Sequence, residues 1–302
     1  MIVSGGTAPP DDIDAVAAFR TRHDLPGLAD VHTHFAPPNV EAKVFAVFDG
    51  GGPMIGREWP IAYRVDLDSR VQRLRHYGVR RFTSMVYPHR PGMAQWLNAF
   101  AADFAARVPE CARTATFYPE PGAAAYVGEA VTTGARVFKS HLQVGDYDPL
   151  DPLLDDVWGL LADAGVPTVI HGGHGPVAGR FTGVDRIARL LDRHPLLPLV
   201  IAHMGMPEFE QFLDLADRHD RVWLDTTMNF TDFMEAQAPF PKGLRPRLAD
   251  LADRIVLGSD LPTIPYPYAH QLESLERLDL GSDWIRAVFW DNGIRLLGTA
   301  DD

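Results

Sequence analysis

The chain has 302 residues, of which 46% are hydrophobic and 23% are charged. This length and composition suit one globular domain with a substantial core, and an α/β barrel needs about 250 residues. The net charge of -12 and the sequence pI near 5.4 argue against a nucleic-acid partner, because binding to phosphates requires clustered lysine and arginine.

The compartment is predicted from cysteine content and from apolar runs. The single cysteine, Cys111, cannot form an intramolecular disulfide, so nothing points to an oxidising compartment. The first residues, MIVSGGTAPPDDID, lack a basic start followed by an apolar stretch. No apolar run approaches the roughly 18 residues of a membrane span. We therefore expect a cytoplasmic protein without a membrane partner.

Short apolar runs rich in Val, Ile, Phe and Thr recur along the chain, each bounded by Gly, Pro or charged residues, as is typical of buried parallel strands. A polar lead-in at residues 1 to 24 precedes the predicted barrel domain, residues 25 to 302. After the first run, the runs come roughly every 30 residues, the length of one βα unit. The eight runs are GLADVHTHF (27 to 35), RRFTSMVYP (80 to 88), TATFYP (114 to 119), ARVFKSHLQ (135 to 143), PTVIHGG (167 to 173), LPLVIAHMG (197 to 205), RVWLDTT (221 to 227) and RIVLGSD (254 to 260).

Segments with helical periodicity separate these runs, as at 91 to 109, 151 to 165 and 184 to 194, and Gly78, Gly134 and Gly165 are predicted C-terminal caps. The arginine-containing run 70 to 81 predicts a solvated helix face that leads into a strand. Strand followed by helix, eight times, indicates an α/β protein, either a closed (β/α)8 TIM barrel or a large doubly wound sheet. No GxGxxG follows the first strand, which removes support for the nucleotide-binding open sheet. We predict the single-domain barrel.

Residues 36 to 65 stand outside the repeat and carry many glycines and prolines, as in FDGGGPMIGREWP. They predict an inserted loop after the first strand. In a barrel this position is the catalytic end, where loops that follow strands shape the substrate pocket. A surface loop without substrate contact is the alternative.

Histidines are concentrated at the predicted strand ends. A lone histidine at such a place is more often a satisfied core residue than a ligand. Several at one rim are more informative, because catalysis in a TIM barrel is confined to the carboxyl ends of the strands. The five are His32, His34, His141, His171 and His203.

Four side chains at this rim predict a metal site. His32 and His34 are separated by one residue, so on a strand their side chains share a face. His171 and Asp260 end two further strands and supply a third nitrogen and a carboxylate. Three neutral nitrogens and one carboxylate suit Zn²⁺ or a similar divalent ion, with an open position for water. A bound cation would also offset the cost of burying the aspartate.

The segments DVHTHF, FKSHLQ, VIHGG, IAHMG and LGSD, in this order, resemble the metal-dependent amidohydrolase superfamily. The closest resemblance is to the amidohydrolase-related branch that includes aminocarboxymuconate-semialdehyde decarboxylase, and it spans residues 27 to 298. It implies His32, His34, His171 and Asp260 as ligands of one divalent metal ion, zinc or alternatively manganese. It also implies His203 as a catalytic acid and base or as the group that orients the bound water. If the reaction is hydrolysis, we expect Asp260 to act both as a ligand and as a base.

Lys139 is the ambiguous position of this resemblance. Superfamily members with two metals carry a carbamylated lysine at the end of the fourth strand, whereas the decarboxylase branch works with one metal. We expect one ion, with Lys139 as a contact to a substrate carboxylate or as part of a structural ion pair. His141, His174 and Arg57 are weaker candidates for substrate binding, and for Arg57 we favour a solvent-exposed role over a substrate contact.

Three functions remain open at this point. The first is hydrolysis of a small organic substrate by metal-activated water, and the second is non-oxidative decarboxylation of a small carboxylic acid with the same ligands. The third is a catalytically inactive binding barrel, against which the complete ligand set argues. The sequence defines neither the substrate nor the oligomeric state. The stretch LPTIPYPY (261 to 268) could serve the interface of a homo-oligomer or could equally cover the pocket.

Overall fold

The structure is a computed structural model that describes residues 8–51 and 56–299. The start of the predicted lead-in, four residues of the predicted insertion and the last three residues of the predicted barrel domain lie outside the described residues. The strands are β1 Leu28–Asp30, β2 Val79–Thr83, β3 Cys111–Ala112, β4 Thr114–Thr116, β5 Val137–His141, β6 Thr168–His171, β7 Leu199–Ile201, β8 Val222–Asp225 and β9 Ile255–Val256.

Helices alternate with these strands. The α-helices are α1 Ile13–Arg22, α2 Pro38–Asp49, α3 Leu67–Tyr77, α4 Ala94–Arg107, α5 Ala123–Thr132, α6 Leu142–Gly145, α7 Asp155–Ala164, α8 Val184–Arg193, α9 Phe209–Arg218, α10 Asp232–Glu235, α11 Arg245–Asp250, α12 Tyr268–Glu276, α13 Ser282–Arg286 and α14 Asn292–Leu297. Short 3-10 segments occupy Pro152–Leu154, Ala202–Gly205, Lys242–Leu244 and Ala252–Arg254, and a π-helical turn spans Ala287–Asp291. No helix in the described part of the chain combines the length and apolar character needed to span a bilayer.

Every strand pairing is parallel, and the strands form a (β/α)8 barrel. The orders are β1-β2-β3 and β4 through β9, and β3 and β4 are two segments of one strand interrupted at Arg113. The ring closes where β1 meets the segment after β9, because Val31 N donates to Leu257 O at 2.9 Å and Thr33 bridges Leu261 in parallel. The prediction of a single-domain TIM barrel is confirmed.

Two layers of apolar side chains explain why the predicted runs became strands. Small and branched residues from most of the strands fill the barrel interior below the rim. Among them are Val31, Val137, Val169, Val200 and Val256. The alternate strand positions face outward and pack with the helices in the larger core. Burial on both faces therefore accounts for the nearly continuous apolar runs in the sequence.

The predicted helices are present, with shorter ends than the sequence suggested. Gly78 and Gly165 cap α3 and α7 in the left-handed conformation, with φ of 75° and 65°. Glycine adopts this conformation without the steric penalty of a Cβ atom. Gly134, with φ of 97°, follows the capping residue Thr133 rather than forming the cap itself.

Two segments differ from the expectations. The lead-in contains α1, whose Val16 and Phe19 are buried, so it is not merely polar. The insertion contains the 12-residue helix α2, where the many glycines and prolines predicted only a loop. Its apolar residues at 40, 44, 47 and 48 repeat with helical spacing, and Pro38 occupies the first turn, where proline is tolerated.

The prediction of a solvated arginine face at residues 70 to 81 is wrong for Arg70. Its side chain is fully buried, forms an ion pair with Glu41 of α2 and donates from Nη1 to the carbonyl oxygen of His34 at 3.2 Å. The guanidinium also lies 5.1 Å from the ring centroid of Phe35. Arg70 therefore connects α2 to the chain at the end of the first strand.

Candidate metal centre

The carboxyl ends of the strands carry the polar side chains of the candidate site. In a parallel barrel these ends meet at one rim, which explains why positions far apart in sequence lie together. Seven of the predicted residues line one cavity at this rim, and they are His32, His34, Lys139, His141, His171, His203 and Asp260.

Three of these residues bring metal-ligating atoms close to one another. Nε2 of His34 lies 2.8 Å from Oδ1 of Asp260, and Nε2 of His32 lies 3.6 Å from the same oxygen. Among the described residues, His32, His34 and Asp260 form a group in which the ligand atoms all lie within 4.8 Å of one another. Two imidazole nitrogens and a carboxylate oxygen are a donor set that zinc and manganese accept.

The remaining nitrogens of both imidazoles are held by acceptors, and this fits a metal-ligand role. Nδ1 of His32 donates to Oδ2 of Asp225 at 2.8 Å, and Nδ1 of His34 donates to the carbonyl oxygen of Met85 at 3.0 Å. Each bond places the proton on Nδ1 and leaves the Nε2 lone pair directed at Asp260. Metal-binding histidines are commonly oriented in this way.

Asp225 is a site residue that the sequence reasoning missed. It ends β8, is completely buried, and accepts hydrogen bonds from His32 and from the backbone nitrogens of His203 and Thr227, the latter two at 2.8 and 3.1 Å. Burial by itself raises the pKa of its carboxyl group, but the charge interaction and hydrogen bond with His32, together with His203 and the Thr227 side chain, hold the pKa below its usual value. The aspartate in RVWLDTT, at the end of an apolar strand, was the available signal.

Asp260 is held in a backbone conformation that is uncommon outside glycine. Its φ is 73°, and its backbone nitrogen donates to the carbonyl oxygen of His32 at 2.8 Å. Burial acts to raise the pKa of its carboxyl group, but interactions with the surrounding imidazoles of His34, His32 and His203 outweigh burial and lower that pKa. Non-glycine residues with a left-handed backbone conformation concentrate at functional sites, where the surrounding structure offsets the energetic cost of that conformation.

His203 lies in the same cavity with one nitrogen free for chemistry. It also has a positive φ, of 55°, and its Nδ1 donates to the carbonyl oxygen of Thr227 at 3.2 Å. Its ring centroid is 5.3 Å from that of His32 and 4.9 Å from that of His171. Burial lowers the pKa of its imidazole, so the ring is neutral near pH 7 with the Nε2 lone pair available.

His171 lies beside the three-residue group but not within it. Its Nε2 donates to the carbonyl oxygen of Gly175 at 2.9 Å, which leaves Nδ1 as the nitrogen able to bind a metal. Its ring stacks on that of His141 with 4.1 Å between centroids and 8° between planes. Its role as a fourth ligand stays a prediction.

Lys139 is a completely buried cation at the base of the site. Its Nζ lies 3.1 Å from Nε2 of His32, and burial lowers the pKa of its amine to about 8. His141, two residues later on the same strand, accepts at Nδ1 from the backbone nitrogen of Val144 at 3.3 Å and lies 4.6 Å from the ring of Tyr87. Both side chains reach the cavity, as strand alternation predicted.

Arg57 and His174 are not brought into the cavity lining. Arg57 is exposed, with its guanidinium 3.8 Å from the centroid of the Phe233 ring and Nη1 donating to the carbonyl oxygen of that residue at 2.8 Å. His174 is half-buried, and its Nδ1 lies 2.7 Å from Oγ1 of Thr182. In this structure, Arg57 and His174 lie outside the residues that line the cavity.

The cavity has a volume of about 290 Å³ and opens beyond the barrel rim. Helix α2 forms part of its wall, so the predicted insertion reaches the site and does not stand apart as a surface loop. Trp59, from the same insertion, also lines the cavity, and its Nε1 donates to the carbonyl oxygen of Thr263 at 2.7 Å.

Residues 29–299 match the family described as amidohydrolase. The chain belongs to this family. The amidohydrolase match covers all nine strands except the first residue of β1, together with His32, His34 and Asp260. The sequence has no match among curated proteins.

Solved structures share the fold of this amidohydrolase. An uncharacterised TIM-barrel protein from Bordetella bronchiseptica is 19% identical, with a TM-score of 0.71 over 90% of this chain and 99% of that one. A 5-carboxyvanillate decarboxylase from Novosphingobium aromaticivorans, complexed with manganese, is 14% identical, with a TM-score of 0.59 over 91% and 96%. A probable 2-pyrone-4,6-dicarboxylic acid hydrolase from Acinetobacter baumannii is 12% identical, with a TM-score of 0.60 over 90% and 99%.

Proposed function

We propose that this amidohydrolase is a metal-dependent hydrolase of a small organic substrate and that it uses one divalent ion, zinc or alternatively manganese. The observation that carries the proposal is the convergence of Nε2 of His32 and Nε2 of His34 on Oδ1 of Asp260. When bound, a divalent ion supplies Lewis acidity and lowers the pKa of water to about 7.

The residues around the ligands have the properties that hydrolysis needs. His203, with Nδ1 bonded to Thr227 and Nε2 free, can take a proton from the attacking water and return it to the leaving group. Asp260 keeps its charge because its pKa is lowered, so it can both bind the ion and orient the water. The buried ammonium of Lys139 can bind the substrate oxygen on which negative charge develops.

Decarboxylation is the second candidate, and the position of Lys139 favours it. A decarboxylase needs a cation that binds the carboxylate of the substrate without serving as a metal ligand, and Lys139 has this location. Within the cavity lining that the structure describes, it is the one lysine or arginine. In this reaction His203 would first take up a proton at Nε2 from water or from the substrate and then deliver it to the carbon from which carbon dioxide departs.

Product analysis distinguishes the two candidates. Purified protein loaded with zinc or with manganese is incubated in ¹⁸O water with lactones, aryl esters and N-acyl amides, and separately with aromatic and α,β-unsaturated carboxylic acids. Hydrolysis introduces ¹⁸O into the product, whereas decarboxylation releases carbon dioxide. Carbon dioxide release without hydrolysis would replace the first candidate by the second, and failure to bind either ion would overturn both.

Two histidine variants test the site that the proposal uses. His203→Asn should retain the metal and lower kcat by about 100-fold or more, the usual contribution of a general acid or base. His174→Asn changes a neighbouring histidine outside the cavity lining and should leave kcat within about threefold, as expected for a residue remote from the substrate. Equal losses in both variants would contradict the proposed role of His203.

A further inference from the structure

Helix α2 carries an apolar face that the rest of the described chain buries only in part. Five of its twelve residues are large and apolar, yet the helix has no buried residue. An amphipathic helix normally packs such a face on the core. Here the same side chains line the cavity, and they are Val40, Val44, Phe45, Val47 and Phe48. The apolar face of α2 is therefore directed at the cavity above the metal centre.

The other walls of the cavity are also apolar. Met85 and Val86 line the cavity from the segment after β2, Leu97 lines it from α4, and three further methionines come from later parts of the chain. Methionine is flexible and polarizable, and it adapts to varied apolar ligands. At the mouth, Val47 is 60% exposed and Val144 is 39% exposed, so the apolar lining continues to the surface. Exposed apolar side chains grouped in this way are characteristic of ligand grooves.

The charges of the cavity are unevenly placed. Lys139 lies beside His32, at the metal centre. Farther out, Glu41 of α2 contributes a carboxylate to the wall, and Arg70 pairs with it while fully buried. A second anionic group on a substrate would have no lysine or arginine of the described lining near it. It would instead lose its hydration against apolar walls, which is unfavourable.

We propose that the substrate of this site has a single carbonyl or carboxyl group, which binds at the metal centre, and an uncharged apolar body that lies along α2. The inference rests on the proposed function for the position of the polar group. The apolar body of the substrate is inferred from the cavity walls alone. Dicarboxylic compounds of the same length should bind more weakly, because Lys139 is the one lysine or arginine of the described lining.

Three hydroxamates of related structure test the inference, since this group chelates divalent ions. Acetohydroxamate, hexanohydroxamate and adipic monohydroxamate are titrated calorimetrically into zinc-loaded protein. A fully buried methylene improves affinity by about fourfold, and hexanohydroxamate has about four more methylenes than acetohydroxamate. Even partial burial of the chain should therefore make hexanohydroxamate bind at least about tenfold more tightly. Adipic monohydroxamate, which ends in a carboxylate, should lose this gain. Equal binding of all three, or tightest binding of the adipic compound, would overturn the inference.

The same titrations with metal-free protein separate the two proposals. The advantage of hexanohydroxamate over acetohydroxamate should persist there, with all affinities lowered by loss of the metal contact. Binding that is unchanged by metal would contradict the proposed function and leave the apolar-substrate inference supported. No binding of hexanohydroxamate to either form would overturn the inference itself.

Three substitutions in α2 test whether the apolar chain of the ligand lies along this helix. Val44→Asp places a charge in the lining and should weaken hexanohydroxamate binding at least about tenfold, in line with the cost of an unpaired charge against an apolar ligand. Ala46→Asp adds the same charge at an exposed position outside the lining and should change binding less than about twofold. Val47→Lys, at the exposed mouth, should tighten binding of adipic monohydroxamate relative to hexanohydroxamate. Equal effects of the first two variants would contradict a substrate along α2.

Discussion

Asp225 fixes the orientation of His32 through a hydrogen bond of 2.8 Å between Oδ2 and Nδ1. Both side chains are almost completely buried, and the other oxygen of Asp225 accepts from two backbone nitrogens. The carboxylate therefore cannot turn away without leaving buried donors unsatisfied. This relationship links the end of β8 to a candidate ligand that follows β1.

Replacing Asp225 by asparagine should lower metal affinity by about 10- to 100-fold, as is common for residues that orient metal-binding histidines. The asparagine amide oxygen can still accept one hydrogen bond, but the substitution removes the negative charge beside the His32 ring. Affinity is measured by competition with a chromophoric chelator. Asp253→Asn, at a side chain that is 71% exposed, is the control. Unchanged affinity in Asp225→Asn would show that His32 is not a ligand oriented by Asp225.

Lys139→Met should leave one equivalent of zinc or manganese bound. The prediction follows because His32, His34 and Asp260 already form a group of ligand atoms without the lysine. Elemental analysis by mass spectrometry of wild type and variant measures the stoichiometry. Two equivalents in the wild type and one in the variant would instead indicate a lysine-bridged pair of ions.

Gly258→Ala should destabilise the fold by about 1–3 kcal/mol, the usual cost of overpacking a core. A Cβ atom at this position would lie 2.1 Å from Oγ1 of Thr227 and 2.9 Å from Cβ of His32. Gly243→Ala is the matched control, since its Cβ would meet nothing within 4 Å. Urea unfolding measures both changes. Equal stability of the two variants would contradict the close approach at Gly258.

Glu276→Gln should lower stability by about 0.5–1 kcal/mol at pH 7, the range for partly exposed ion pairs. Glu276 joins α12 to the end of α1 through Arg22, whose Nε and Nη2 lie 2.8 and 2.9 Å from its oxygens. The hydrogen bond from Arg22 lowers the pKa of the Glu276 carboxyl group. The contribution of Glu276 to the free energy of unfolding is therefore complete above the unfolded-state pKa, about 4.3, and is lost as the pH falls below that value.

Urea unfolding of wild type and Glu276→Gln at pH 7 and pH 3 measures this dependence. The difference between the two proteins should shrink at pH 3. Glu129→Gln, at an exposed helix position, is the control and should differ little from wild type at either pH. A difference that grows toward low pH would contradict the assignment.

The sequence by itself determined the barrel, because strands buried on both faces require apolar runs, and eight of them alternate with helical segments. It also indicated the rim residues His32, His34 and Asp260, since a strand end in a parallel barrel has a defined location. The apolar pattern within each segment identified these strand ends, and in the structure His32, His34 and Asp260 lie together.

Only the tertiary structure decided features that depend on contacts between distant segments. Asp225 acquires partners from two other strand ends, through His32 and His203, and Arg70 is buried where Glu41 of α2 approaches it. Arg57, a candidate substrate contact in the sequence, stacks on Phe233 outside the cavity lining. Charge pairing and burial are set by side chains far apart in sequence, and no periodicity within one segment reports them.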